Sequence, residues 1–130
     1  MDVLRILIVD DHDAIRRGLR LLLATRADWI ICGEAVDGLD AVEQARALRP
    51  DLVLMDISMP RMDGVEAIRI IREEAPRPEV IIVSQNDLAI ISRQVATIDS
   101  CGCVAEASLS RDLLPAADEA VRRREARKSQ

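Results

Sequence analysis

Five short, almost uninterrupted apolar runs recur along the chain, and segments with apolar residues at helical spacing lie between them. The runs are "LRILIVDD" (Leu4 to Asp11), "DWIICGEA" (Asp28 to Ala35), "DLVLMD" (Asp51 to Asp56), "EVIIVS" (Glu79 to Ser84) and "CGCVAE" (Cys101 to Glu106). Each is too short for a typical helix, and the richest of them lack the polar alternation of a half-solvated strand. Strands of that kind are buried on both faces, which requires helices above and below a parallel sheet.

The intervening segments supply those helices. The first presents Ile15, Leu19, Leu22 and Leu23 on one face; the second, capped by Asp37 and stopped by Pro50, presents Val42, Ala45 and Leu48. Val65, Ile68 and Ile71 line a third helix, and Leu88, Ile91, Val95 and Ile98 a fourth. A last helix starts after Ser108 or Ser110 and runs into "RRREARKSQ", with Pro115 awkward in its early turns. Five strands alternating with five helices predict an α/β fold, a flavodoxin-like doubly wound five-stranded parallel sheet, (βα)5. Such sheets bind ligands outside the carboxyl ends of their strands, at the point where the strand order reverses. Chemistry is therefore expected where strands end.

Composition narrows the classes. A length of 130 residues is that of one domain, and 49% hydrophobic with 32% charged residues is a globular balance. No apolar run reaches membrane-spanning length and no secretory signal pattern opens the chain, so a cytoplasmic protein without membrane contact is expected. A net charge of −5 argues against non-specific attraction to nucleic acid. Cys32, Cys101 and Cys103 lack the CxxC spacing of a zinc site and do not form a disulfide framework; buried reduced thiols are expected.

At the strand ends stand Asp10 and Asp11, Asp56, Ser84 and Glu106. Any one of these acids alone is as readily a helix cap or turn former. Four carboxylates converging on one edge are a different matter, because hard oxygen donors in a cluster suit magnesium or another divalent cation. A haloacid dehalogenase type of phosphatase would also use an aspartate at a strand end. It needs a second Asp two residues later, where this chain has Ser58.

The motifs "ILIVDDHDAIRRGLRLLL", "CGEAVDGLDAVEQARALRPDLVLMDISMPRMDG" and "VIIVSQND" resemble the receiver domain of bacterial two-component response regulators, most of all the NarL/FixJ-type subfamily. The resemblance covers essentially the whole chain. It implies that Asp56 is the phosphoacceptor and that Asp10, Asp11, Asp56 and the backbone carbonyl of Ser58 hold magnesium. Ser84 matches the switch hydroxyl. Asp56 would act as a carboxylate nucleophile, with Pro60 and Gly64 shaping the loop after it. Ser58 and Asn86 are candidate modulators of hydrolysis or ordinary loop polars, and both readings stand.

Two positions depart from the family pattern. Receivers carry a lysine at the end of strand five and an aromatic residue three positions before it; here those places hold Glu106 and Cys103. No shift of alignment restores either, since the one lysine is Lys128, Phe and Tyr are absent, and Trp29 lies in strand two. Two unit charges about 4 Å apart interact by roughly 4 kcal/mol at an effective dielectric near 20, so a glutamate there opposes an incoming phosphoryl dianion. The acidic cluster then has three outlets: it binds a cation strongly, protonates one member, or turns Glu106 out to water as a solvated strand end. Arg61 is a candidate compensating charge.

The resemblance implies a signalling receiver, residues 1–121, followed by a basic stretch 122–130 that is the end of the last helix or the start of a linker. Its partners would be a histidine kinase or phosphotransfer protein, and a homodimer is allowed. Phosphorylation would alter the surface around the fourth helix, fifth strand and fifth helix. It would not be an enzyme beyond catalysing its own phosphorylation and dephosphorylation. A helix-turn-helix domain often follows such a receiver, but none is expected within these residues, and "RRREARK" is not expected to contact DNA. The alternative is a pseudo-receiver, a protein-binding module that signals without phosphorylation.

Overall fold

Neighbouring side chains on a strand point to opposite faces, so each doubly buried run feeds two cores at once. The protein is described by a computed structural model over residues 3–57, 64–74, 77–85 and 102–128. In it, β1 (Leu4–Val9), β2 (Trp29–Ala35), β3 (Leu52–Asp56), β4 (Glu79–Ser84) and β5 (Gly102–Ala105) form one sheet in the order β2-β1-β3-β4-β5. All the pairings are parallel. Leu7, Val9, Val53, Met55, Val80 and Ile82 pack on one face with Ala41 and Val42 of α2 (Gly38–Leu48) and Ala67, Ile68 and Ile71 of α3 (Gly64–Glu73). Leu4, Ile6, Ile8, Leu52, Leu54, Ile81 and Val104 pack on the other. There they meet Leu19 and Leu23 of α1 (Asp13–Leu23) and Leu113, Ala117 and Ala120 of the last helix, α4 (Leu109–Lys128). The doubly wound parallel sheet read from the apolar runs is the fold observed. Its order reverses between β1 and β3, which places their carboxyl ends at the centre of one edge.

Local signals account for most boundaries. Asp37 caps α2 by accepting from the Asp40 amide at 2.8 Å, and the helix ends before Pro50 with Arg49 in the left-handed region at φ 49°. β4 coincides with its apolar run, and the other strands stop one or two residues short of theirs at one or both ends. The flanking residues still touch the sheet: the Leu4 amide donates to the Asp28 carbonyl at 2.9 Å, and the Asp10 amide to Ala35 at 3.0 Å. Beyond β5, Glu106 does not continue the strand but opens a 3-10 turn through Ser108, and α4 follows directly. Pro115 lies inside α4 without interrupting it, and its ring is exposed. The expected fourth helix around Leu88 to Ile98 lies outside the described residues, as does Cys101. Cys32 and Cys103 are only half-buried, because both sit on edge strands; burial raises the Cys32 thiol's pKa. Among the described residues no helix is long and apolar enough to cross a membrane.

The opposite, amino edge of the sheet is held by charge. Glu79 opens β4 with 1% exposure, and its carboxylate lies 3.0 Å from both Arg123 and Arg127 of α4. Asp51 pairs with Arg124 at 2.6 Å and accepts from the Arg5 amide at 2.9 Å. The basic end of α4 is thus fastened across the amino ends of β1, β3 and β4. These pairs are asymmetric: the Arg127 side chain is exposed and that of Arg123 partly so, with its Nη2 buried, whereas the Glu79 carboxylate is enclosed. Removing both arginines with Arg123→Met and Arg127→Met is expected to cost about 3 kcal/mol, because an uncompensated charge stays buried. Glu79→Gln, which leaves the exposed Arg127 free to be hydrated and keeps a polar partner for Arg123, is expected to cost less, about 1 kcal/mol. Urea unfolding at neutral pH measures both, and equal losses would contradict the asymmetry.

Candidate functional site

At the central edge, β1 releases a buried carboxylate. Asp10 is 1% exposed; its Oδ1 accepts from the His12 amide at 2.8 Å and lies 3.1 Å from His12 Nδ1, while Oδ2 has no hydrogen-bond partner. Its backbone carbonyl accepts from Arg16 at 2.6 Å. The guanidinium of Arg16 also binds Glu34 at 3.1 Å and Asp13, so it braces the turn from outside rather than neutralising the Asp10 side chain. Asp11 is more open, and its Oδ1 stands 3.1 Å from the same His12 nitrogen. Asp56 ends β3 at 4% exposure, next to β1. One donor atom each from Asp10, Asp11, His12 and Asp56 falls within 4.8 Å of the others.

The sequence reading grouped these three aspartates and passed over His12. The available signal was its position: the chain's single histidine directly follows the acidic pair. It precedes α1 without capping it through its side chain, and its ring turns to the acids. The hydrogen bond to Asp10 and the charge of Asp11 hold the His12 imidazole above its ordinary pKa.

Parallel register brings the remaining strand ends to the same edge. Asp56 pairs with Val83, so Ser84, fully buried, lies one step further along β4; Ser84 pairs with Ala105, and Glu106 follows it. Glu106 is half-buried rather than solvated. Its Oε1 has no hydrogen-bond partner, and burial followed by the charge of Asp10 raises its pKa, against a weaker opposing hydrogen bond from Gln85. Of the three outlets for the acidic cluster, the half-buried placement of Glu106 argues against a fully solvated strand end and biases its carboxyl toward protonation. Cys103 pairs with Ile82 and packs against the core on the α2 and α3 face. Gly64 passes so close to the end of β3 that a Cβ there would stand 2.4 Å from Ile57 Cα and 2.7 Å from the Asp56 carbonyl oxygen. Close approach, not a left-handed backbone, is what demands glycine. Ser58, Pro60, Arg61 and Asn86 lie outside the described residues.

The donor set fits a divalent cation. Three carboxylates at hard-ion spacing, one of them a buried aspartate with an oxygen lacking any hydrogen-bond partner, are what such an ion would satisfy. The family model described as "Response regulator receiver domain" matches residues 6–116, and the chain belongs to that family. The transcriptional regulatory protein YdfI of Bacillus subtilis is 46% identical over 83 residues, which is 64% of this chain and 39% of that protein. The chain thus spans well under half the length of that relative. The response regulator domain of Thermotoga maritima CheB superposes with a TM-score of 0.81 at 32% identity, covering 91% of this chain and 96% of that one. A LuxR-family two-component response regulator from Aurantimonas sp. SI85-9A1 gives a TM-score of 0.83 at 29% identity, covering 91% and 84% respectively.

The raised Glu106 pKa has a thermodynamic sign. A carboxyl whose folded pKa exceeds its unfolded one costs no stability below the unfolded value. It becomes destabilising as pH rises through the interval between the two, and stays so above it. In cation-free protein, Glu106→Gln is therefore expected to raise the unfolding midpoint at pH 7 and to lose that advantage below about pH 4.5. Thermal unfolding across that range is the check, and a pH-independent difference would remove Glu106 as the cause.

Proposed function

We propose that this receiver accepts a phosphoryl group on Asp56 from a histidine kinase or phosphotransfer protein. The observation that carries the reading is the meeting of Asp56 with Asp10, Asp11 and His12 at the switch point of the sheet, with Ser84 ending the adjacent strand. An oxygen of the Asp56 carboxylate attacks phosphorus, an acyl phosphate bond forms, and the phosphorus to nitrogen bond of the donor histidine breaks, its nitrogen keeping the electron pair. Asp10, Asp11, Asp56 and the Ser58 carbonyl would hold magnesium, which when bound neutralises charge on the transferring oxygens. Burial of Asp56 limits water at the nucleophile, and Ser84 is suited to donate to a phosphoryl oxygen. Residues 1–121 form the receiver in this reading, with 122–130 as the basic end of its last helix, in a cytoplasmic protein. A DNA-binding domain in a longer parent and a homodimer are both consistent with the relatives. No enzymatic activity beyond the chain's own phosphorylation and dephosphorylation is proposed.

Glu106 favours a second reading. A half-buried acid beside Asp10, where the family pattern has lysine, opposes a phosphoryl dianion, and so supports a binding module that signals without phosphorylation. Incubation with magnesium and a small acyl phosphate separates the two. An adduct seen by intact mass and abolished by Asp56→Asn supports the first; no adduct in the presence of bound magnesium supports the second. Glu106→Lys is expected to raise the phosphorylated fraction, and an unchanged yield would rule out charge as the obstacle.

A further inference from the structure

The acidic pocket contains a nitrogen donor. His12 Nδ1 stands 3.1 Å from Asp10 Oδ1 and 3.1 Å from Asp11 Oδ1, close to the roughly 3 Å that separates adjacent donors around one octahedral ion. The same nitrogen lies in the group that includes Asp56, all within 4.8 Å. A second observation points to a cation there: Asp10 is 99% buried by its 1% exposure, yet its Oδ2 lacks a hydrogen-bond partner, and Glu106 brings a further buried oxygen without one to the same edge. Among the described residues, the Arg16 guanidinium beside Asp10 is engaged by Glu34, Asp13 and the Asp10 backbone carbonyl. Lysine cannot serve, because Lys128 ends α4 on the opposite edge of the sheet.

We infer that His12 is a ligand, through Nδ1, of the cation held by Asp10, Asp11 and Asp56, and that it makes the site selective for a first-row transition ion over magnesium. The inference rests on the reading of those three aspartates as a cation site. Carboxylates serve magnesium and manganese well, but an imidazole nitrogen adds binding strength for the softer ions and little for magnesium, which keeps its waters and is content with one or two carboxylates. The exposed side of the His12 ring leaves the pocket accessible to an ion from solution. With a carboxylate replacing the family lysine, an ion held by both oxygen and nitrogen donors supplies positive charge at the position where that lysine would stand.

The test is titration of the full chain with Co2+ and, separately, Mg2+ at about pH 8, where competition from protons is small. Calorimetry gives affinities, and the visible absorption of Co2+ reports its ligand set. His12→Ala is expected to weaken Co2+ binding by at least about tenfold and to leave Mg2+ affinity within about twofold, with a shifted Co2+ band. His12→Gln, which retains a polar side chain without the imidazole, should behave the same way and guards against a folding defect in the alanine variant. Equal losses for both ions, or Co2+ binding indifferent to His12, would overturn the inference while leaving the aspartate site intact. A gain in Mg2+ affinity on removing His12 would overturn it too, showing that the ring stands in for the ion. Absence of binding by either ion would overturn both this inference and the aspartate site.

Discussion

A strand buried on both faces can place polar side chains only beyond its ends, and this constraint organises the protein. β1, β3 and β4 are apolar on both sides, with Ile6, Leu7, Ile8, Val53, Val80 and Ile82 essentially inaccessible. Their backbone groups are satisfied by parallel neighbours, and their charged residues collect at two edges. At the carboxyl edge the charges are acids with a histidine; at the amino edge Glu79 and Asp51 meet the arginines of α4. One edge is compensated by the fold itself. Among the described residues the other carries more acids than bases, which suits it to a cation.

Within the carboxyl edge, burial separates acids that look alike in the chain. Asp10 is enclosed and bonded by the turn that follows it, Asp11 is open, and Asp56 is covered at the end of the central strand. Glu106 joins them from beyond β5, where burial and the charge of Asp10 raise its pKa. In the proposed reading, a pocket so arranged attracts cations and disfavours anions until a cation is present. Receipt of a phosphoryl group and selection of the ion are therefore linked questions for this receiver, and His12 stands where they meet.

Most of the fold was legible because the signals were redundant. The apolar runs gave both strands and sheet type, Asp37 and Pro50 marked the limits of α2, and Ile15, Leu19, Leu22 and Leu23 showed the inner face of α1, which the packing reproduces. Strand ends were less legible, since Asp10, Asp28 and Asp51 keep hydrogen bonds to the sheet after the ladder has formally stopped. The grouping of Asp10, Asp11 and Asp56 followed from topology, because a parallel sheet sends all strand ends to one side. The placement of His12 against the acids was not legible, because it depends on a ring orientation and no spacing rule encodes one. The half-buried thiols differed from expectation because edge strands shield less than central ones.

By itself the sequence determined the doubly wound sheet, the edge at which its acids gather and the loss of the family lysine and aromatic residue. These depend on the periodicity and order of residue types, which are local or topological properties. Only the tertiary structure decided that Glu106 sits partly desolvated against Asp10, that His12 faces two carboxylates, and that the basic end of α4 grips Glu79 and Asp51. The physical reason is that an ionisable group's behaviour is set by the dielectric and the charges within a few ångströms, and residues far apart in the chain supply both.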